Sequence, residues 1–314
     1  MSRRSMGSAF AALTLAVASA AAGMTSASAT PDPGPGSRPT ATTSFTKYVA
    51  LGDSYSAGPL IPTNSTWCFR STNNYPAWLA TDLGLYYKAG AFNDVSCSSA
   101  DTTNLTQSQP IPTPDAPQGT AAPQANALKS DTDLVTLGMG GNDYSVFGSL
   151  VGTCPGLRDS DPTGAPCQAH FTVNGVDTLK ASLVKTEKNL EGNIDTIHKR
   201  SPKATVVLVG YPRLVPPSGY CPDQVPFAEG DYAWADSINR ALNTAVSTAA
   251  KNKGALFVDT YGPALGHDAC AGSAAWVNGQ YSNVLKAAAY HPLAAGMRAE
   301  SKLIYAALTG IKTG

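Results

Sequence analysis

Four short apolar runs, at residues 48–51, 134–137, 205–209 and 256–258, do most to decide what this chain can fold into. Each is a continuous stretch of β-branched or other apolar residues, and helical patterns separate the later ones. Runs of this kind suit buried strands of a parallel sheet covered on both faces. Val176, Leu179, Leu183, Leu190, Ile194 and Ile197 recur at steps of three, four or seven, and Ser201-Pro202 ends the pattern. Ala235, Ile238, Leu242, Val246 and Ala249 repeat it before Gly254, and a third helical pattern spans 292–308. This order predicts a doubly wound α/β domain around a central parallel sheet. Two long stretches, 110–123 and 148–172, show no period and read as functional or disulfide-stapled loops.

The sheet domain is expected over residues 45–314. Ahead of it, residues 1–29 read as a secretory signal peptide: Arg3-Arg4, an apolar Ala-rich run over 9–23, and the A-x-A site Ala27-Ser28-Ala29. The run is shorter than the roughly 20 residues a spanning helix needs, so no integral membrane anchor is expected. Residues 30–44, with Pro31, Pro33, Pro35 and Pro39, read as a disordered leader. Loss of the signal leaves 20 basic against 22 acidic residues, a formal −2, and a secreted, extracellular protein. So balanced a charge argues against a nucleic-acid partner. The six cysteines include no C-x-x-C, which argues for disulfides rather than a zinc site. Many pairings are open; the one we expect is sequential, Cys68–Cys97, Cys154–Cys167 and Cys221–Cys270, the second closing a short Gly/Pro-rich loop.

In open parallel sheets, ligands sit outside the carboxyl ends of the strands. The first run is followed by Gly52-Asp53-Ser54-Tyr55-Ser56-Ala57-Gly58, the second by Gly138-Met139-Gly140-Gly141-Asn142-Asp143, and the last helix by its preceding Tyr290-His291. These places supply a hydroxyl, a side-chain amide and an imidazole. A serine hydroxyl needs a base before it attacks, and His291 is the best-placed candidate for Ser54. The Asn142 amide and the Ser54 N–H could both donate to a tetrahedral oxyanion. No H-E-x-x-H, Walker loop, G-x-S-x-G elbow or G-x-G-x-x-G pattern occurs.

On these blocks, with Gly140-Gly141-Asn142-Asp143 and His291-Pro292, the chain resembles the SGNH or GDSL hydrolases, and within them the secreted actinomycete-type lipases and esterases with three disulfides. The stretches Gly266-His267-Asp268-Ala269-Cys270 and Trp276-Val277-Asn278 look like that branch too. The resemblance implies a flavodoxin-like three-layer α/β/α sandwich that hydrolyses carboxylic esters without a metal or organic cofactor, through an acyl-Ser54 intermediate with His291 as base and acid. It also favours the sequential disulfide pairing.

Two positions depart from the family. Where a glycine normally donates its backbone N–H to the oxyanion, this chain has Ser99, which keeps the donor provided φ is not positive. The usual triad acid in Asp-x-x-His is replaced by Ala288. The expectation is a Ser–His dyad in which the Ala288 carbonyl orients His291, with Asp268 as the rival. His267, His170 and His198 read as structural or surface residues, and Asp53 and Asp143 as bonding local backbone. Loop aromatics (Trp67, Phe69, Phe147, Tyr211, Trp276) suit acyl chains, so the substrate expected is an ester or lipid, with phospholipid acyl groups included. The alternatives are a polysaccharide or small-ester deacetylase, or a catalytically weak glycan- or lipid-binding module. A monomer is expected.

Overall fold

The computed structural model describes residues 44–63, 68–111 and 119–311. The signal peptide, nearly all of the leader, and Trp67 lie outside the described residues. Five parallel strands form the central sheet: β1 (Tyr48–Gly52), β2 (Phe92–Asp94), β3 (Leu134–Gly138), β4 (Thr205–Val209) and β5 (Leu256–Val258). Their spatial order is β2-β1-β3-β4-β5, the flavodoxin-like arrangement whose switch point lies between the first and third strands. Tyr48 pairs with Leu134 and Gly52 with Gly138, so β1 and β3 end level with each other.

The helices are α1 (Ser54–Ala57), α2 (Tyr75–Asp82), α3 (Val146–Leu157), α4 (Pro166–Phe171), α5 (Thr178–Arg200), α6 (Asp231–Asn252) and α7 (Ala294–Thr309). Alternation along β1 sends Val49 and Leu51 into one core with α3, α5 and α6, and Tyr48 and Ala50 into the other with α2 and α7. This makes three layers, and it is why the strands read as unbroken apolar runs. The stripe Leu179, Leu183, Leu190, Ile194 and Ile197 is the buried face of α5. Val176 is not part of that helix: it pairs with Val173 in a two-residue ladder, and Asp177 caps the helix by accepting the Lys180 N–H.

Helices α2, α3 and α4 and strand β2 were not predicted. The stretch 148–172 is not a long loop; it holds most of α3 and all of α4, joined by Cys154–Cys167. Gly148, Gly152 and Gly156 face open space on α3 and hide its helical pattern, each costing about 1 kcal/mol relative to alanine. Val146, Leu150 and Cys154 are buried at four-residue steps on its other face, and they hold it in place. Strand β2 is a three-residue edge whose side chains are half-buried or exposed, so it left no apolar run to read. All three disulfides pair sequentially.

Candidate active site

The site lies at the carboxyl ends of β1 and β3. After β1, the Asp53 carboxylate accepts the Tyr55 N–H at 2.8 Å and caps the single turn α1, which Gly58 closes at φ +72°. Ser54 is therefore the first residue of that turn, and its N–H has no acceptor within the helix. The approach is tight: a Cβ on Gly52 would come within 2.2 Å of the Ser56 hydroxyl. After β3, Gly140 takes φ +127°, a backbone that only glycine adopts readily, and brings Asn142 up beside Ser54. One Asn142 amide hydrogen is held by the Ala100 carbonyl at 2.9 Å, which leaves the second for an oxyanion.

His291 comes from the loop before α7. Its Nε2 lies 2.8 Å from Ser54 Oγ, and its Nδ1 lies 2.6 Å from the carbonyl of Ala289. The orienting carbonyl is thus Ala289, not Ala288. The Ala288 carbonyl is already taken by the Asn278 amide at 3.1 Å and the His291 N–H at 3.3 Å. Tyr290, at φ +60°, then turns the chain so that Ala289 faces the ring. With Nδ1–H donated to that carbonyl, Nε2 presents its lone pair to the serine. The imidazole sits against Tyr55 and Phe147, and burial lowers its pKa to about 4, so it is neutral and able to accept a proton.

No carboxylate bonds His291 among the described residues. Asp268 accepts the Cys270 N–H at 2.9 Å inside the loop stapled by Cys221–Cys270. His267 bonds the Ala274 carbonyl and stacks on Trp276, and His170 packs edge-on against Phe171. No group of three or more His, Cys, Asp or Glu side chains that could hold a metal exists among the described residues. Ser99 lines the cleft with Ser54, Asn142 and His291, but at φ +68°. Serine therefore takes the glycine's backbone here at a cost in strain, while its N–H itself remains in place.

Sequence reasoning missed the framework behind these groups. Tyr211, directly after β4, donates its hydroxyl to Asp53 at 2.6 Å and accepts the Gly141 N–H at 2.9 Å, tying three strand ends together. Burial pushes Asp53 up to about 7, against the pull of the Tyr211 hydroxyl and the Tyr55 N–H. Thr102 gives both its N–H and its hydroxyl to Asp143, and Asn189 adds a third bond. Asp143 therefore bonds distant segments rather than local backbone. The Tyr55 hydroxyl donates to the Tyr290 carbonyl at 2.6 Å, linking the serine turn to the histidine loop. Only Tyr211 had a usable cue: the carboxyl-end rule, applied to the third apolar run (205–209), points to it.

Two hollows meet at Ser54. One is an apolar slot lined by Val146, Phe147, Leu150, Leu214, Ile238 and Leu242, with an empty volume of about 510 Å³ counting its solvent-facing mouth. The other is a shallower shelf bounded by Pro59, Phe69, Ser98, Ser99, Ala288 and His291. The first turns an apolar lining towards Ser54, and the second is a more open space on the other side of it.

A GDSL-like lipase/acylhydrolase family model matches residues 50–299. The chain is 37% identical to Lipase 2 of Streptomyces coelicolor over 240 residues, covering 74% of this chain and 75% of that one. It is 34% identical to an esterase of Streptomyces scabiei over 263 residues, covering 74% of each. Among solved structures, a phospholipase A1 of Streptomyces albidoflavus superposes with a TM-score of 0.65 at 27% identity, covering 84% of this chain and 99% of the other. An extracellular lipase of Streptomyces rimosus gives 0.65 at 28% identity over the same shares. The chain belongs to the GDSL-like lipase/acylhydrolase family and is a carboxylic ester hydrolase.

Proposed function

We propose that the protein is a secreted lipase that hydrolyses acyl esters of glycerolipids, phospholipids included, through an acyl-Ser54 intermediate and a Ser54–His291 dyad. The contact that carries this reading is the 2.8 Å approach of Ser54 Oγ to His291 Nε2 at the mouth of the apolar slot. In the first half-reaction, Ser54 Oγ attacks the ester carbonyl carbon while His291 Nε2 takes its proton. The negative oxygen of the tetrahedral intermediate is met by the N–H groups of Ser54 and Ser99 and the Asn142 amide. Collapse expels the alcohol, which receives the proton from His291. Water then attacks the acyl-enzyme by the same route in reverse and releases the fatty acid.

The slot's lining favours acyl chains over acetyl groups, which ranks lipid hydrolysis above deacetylation. The phospholipase A1 relative supports phospholipids as one substrate. Residues 1–29 act as the export signal and 30–44 as a leader ahead of a catalytic domain that functions as a monomer. No described helix is long and apolar enough to cross a membrane, which fits a released enzyme.

The test is a series of 4-nitrophenyl esters of graded acyl length, together with a phosphatidylcholine, on wild type and Ser54→Ala. Activity should rise from acetyl towards longer chains and vanish in the variant. A fluorophosphonate should label wild type and not Ser54→Ala. Labelling of both alike, or a preference for acetyl, would overturn the reading.

A further inference from the structure

The loop that delivers His291 has a second face. At its tip Tyr281, Val284 and Leu285 are 73%, 73% and 76% exposed, an unusual grouping of large apolar side chains. The tip is tightly built. Asn278 donates its amide to the carbonyls of Tyr281, Ala287 and Ala288, and Asn283 and Ala287 exchange two backbone bonds of 2.9 Å. The Ser282 hydroxyl accepts the Ala289 N–H at 3.0 Å. These bonds hold three apolar side chains out in water at the cost of solvating them, without letting them fold back.

Position narrows the occupant. Ala288 lies at the base of the tip, lines the shelf beside Ser54 and donates its N–H to the Pro59 carbonyl at 2.9 Å. Leu285 and Lys286 border a groove with Ile61, Pro62 and Leu293, immediately beyond that wall. Whatever covers the tip therefore sits within a few residues of the wall of the active-site shelf. A second copy of the chain or a stable protein partner seated there would block substrate entry, whereas a lipid surface would supply substrate through it. The charge is complementary: Lys286 is the sole charged residue between 279 and 291, and it stands exposed at the tip. One cation among apolar side chains suits a layer of phosphate headgroups above acyl chains.

We infer that the 281–286 tip is a docking element that inserts Tyr281, Val284 and Leu285 into a phospholipid surface, with Lys286 on the headgroup phosphates, and seats the active-site mouth on that surface. This rests on the reading that lipid esters are the substrates, and it adds how the enzyme reaches them.

The experiment uses vesicles of phosphatidylcholine with one part in five phosphatidylglycerol. Binding is measured by co-sedimentation in the Ser54→Ala background, so that hydrolysis does not alter the surface. Replacing Tyr281, Val284 and Leu285 together by serine should lower the partition coefficient by about tenfold or more. The same triple change with Ser54 intact should leave hydrolysis of soluble 4-nitrophenyl butyrate within about twofold, since none of the three side chains touches the reacting groups. Lys286→Ala should reduce binding by several-fold and weaken its dependence on salt. All six cysteines are paired, so Val284→Cys offers a single site for an environment-sensitive dye, whose emission should shift to the blue on adding vesicles.

No binding by the parent, equal binding by the triple variant, or no dye shift overturns the inference. So does a dimer in sedimentation velocity that the triple change abolishes, because the tip would then be a protein interface. The two readings fail separately. Tip-dependent binding without fatty-acid release by wild type sinks the lipid-substrate reading and leaves docking standing. Release from vesicles that the triple variant performs equally well does the opposite.

Discussion

On the Ser54 side of the cleft, buried and half-buried side chains hold the geometry: Asp53 with Tyr211 and Tyr55, Asp143 with Thr102 and Asn189, and Asn142 on the Ala100 carbonyl. On the His291 side, the same job falls to backbone carbonyls, with Ala289 accepting from the ring and Tyr290 from Tyr55. Carboxyl groups are not scarce here. Asp53 and Glu300 are wholly buried near the nucleophile, and burial, with Asp53 close by, keeps Glu300 well above the ordinary carboxylate range. They fix backbone or fill the core instead of facing the base. Orientation and charge are thus separate requirements: a carbonyl dipole faces Nδ1 of His291, and no carboxylate among the described residues bonds the ring.

The largest break in this contrast comes from the serine side. Asn142→Ala removes the proposed oxyanion donor together with the tie to Ala100. It should lower kcat by about a hundred- to a thousandfold, or about 2.7–4 kcal/mol, with KM for a soluble ester little changed. A loss confined to KM would place Asn142 in ground-state binding. Tyr211→Phe comes next. It strips the Gly141 N–H of its acceptor and Asp53 of its donor, both buried, and should cost about 1–3 kcal/mol of stability in a denaturant titration, with a fall in kcat of about tenfold. A variant as stable as wild type would show that water replaces the hydroxyl.

The base side is sharpened by giving it the charge it lacks. With burial holding His291 at about 4, kcat/KM for a soluble ester should rise with pH through about 4 and stay level to neutrality, because only the neutral imidazole accepts the Ser54 proton. In Ala288→Asp a carboxylate near the ring favours the protonated form, so the acid limb should move to higher pH. The maximal rate should stay the same or rise, by up to about tenfold. A collapse of kcat in a normally folded variant would show that the Ala289 carbonyl contact cannot coexist with a side-chain acid, and the dyad reading would lose its support.

These two sides were unequally legible in the sequence. Ser54 and Asn142 follow from where a parallel sheet puts its strand ends, which the apolar runs 48–51 and 134–137 marked, and His291 from its place just ahead of the last helical pattern. The framework behind them was not legible, since Tyr211–Asp53 and Thr102–Asp143 join residues 158 and 41 positions apart and no local pattern records such bonds. The choice of Ala289 over Ala288 hung on one dihedral, the positive φ of Tyr290. Helix α3 was hidden for a related reason: its glycines lower local propensity, while the buried stripe and the Cys154–Cys167 bridge that offset them act only in the folded chain. What the sequence specifies well is the layer a residue joins. Which atom it bonds there is settled by tertiary packing.

The smallest expected effect concerns Ser99, which lies between the two sides. An L-residue at φ +68° pays about 1–2 kcal/mol in close contact between its Cβ and the next carbonyl, and glycine does not. Glycine in turn loses more freedom on folding, by about 0.5–1 kcal/mol. Ser99→Gly should therefore stabilise the protein by about 1 kcal/mol or less, read as a small rise in midpoint on urea titration. If the backbone N–H is the oxyanion donor, kcat for a soluble ester should stay within about twofold, because the substitution keeps that donor and the φ that aims it. Ser99 lines the shelf beside Ser54, so with the leaving alcohol seated there KM for bulky alcohols should fall when the side chain is removed. A large drop in kcat without a change in stability would assign the oxyanion contact to the Ser99 hydroxyl itself and would make this serine a working replacement for the glycine rather than a tolerated one.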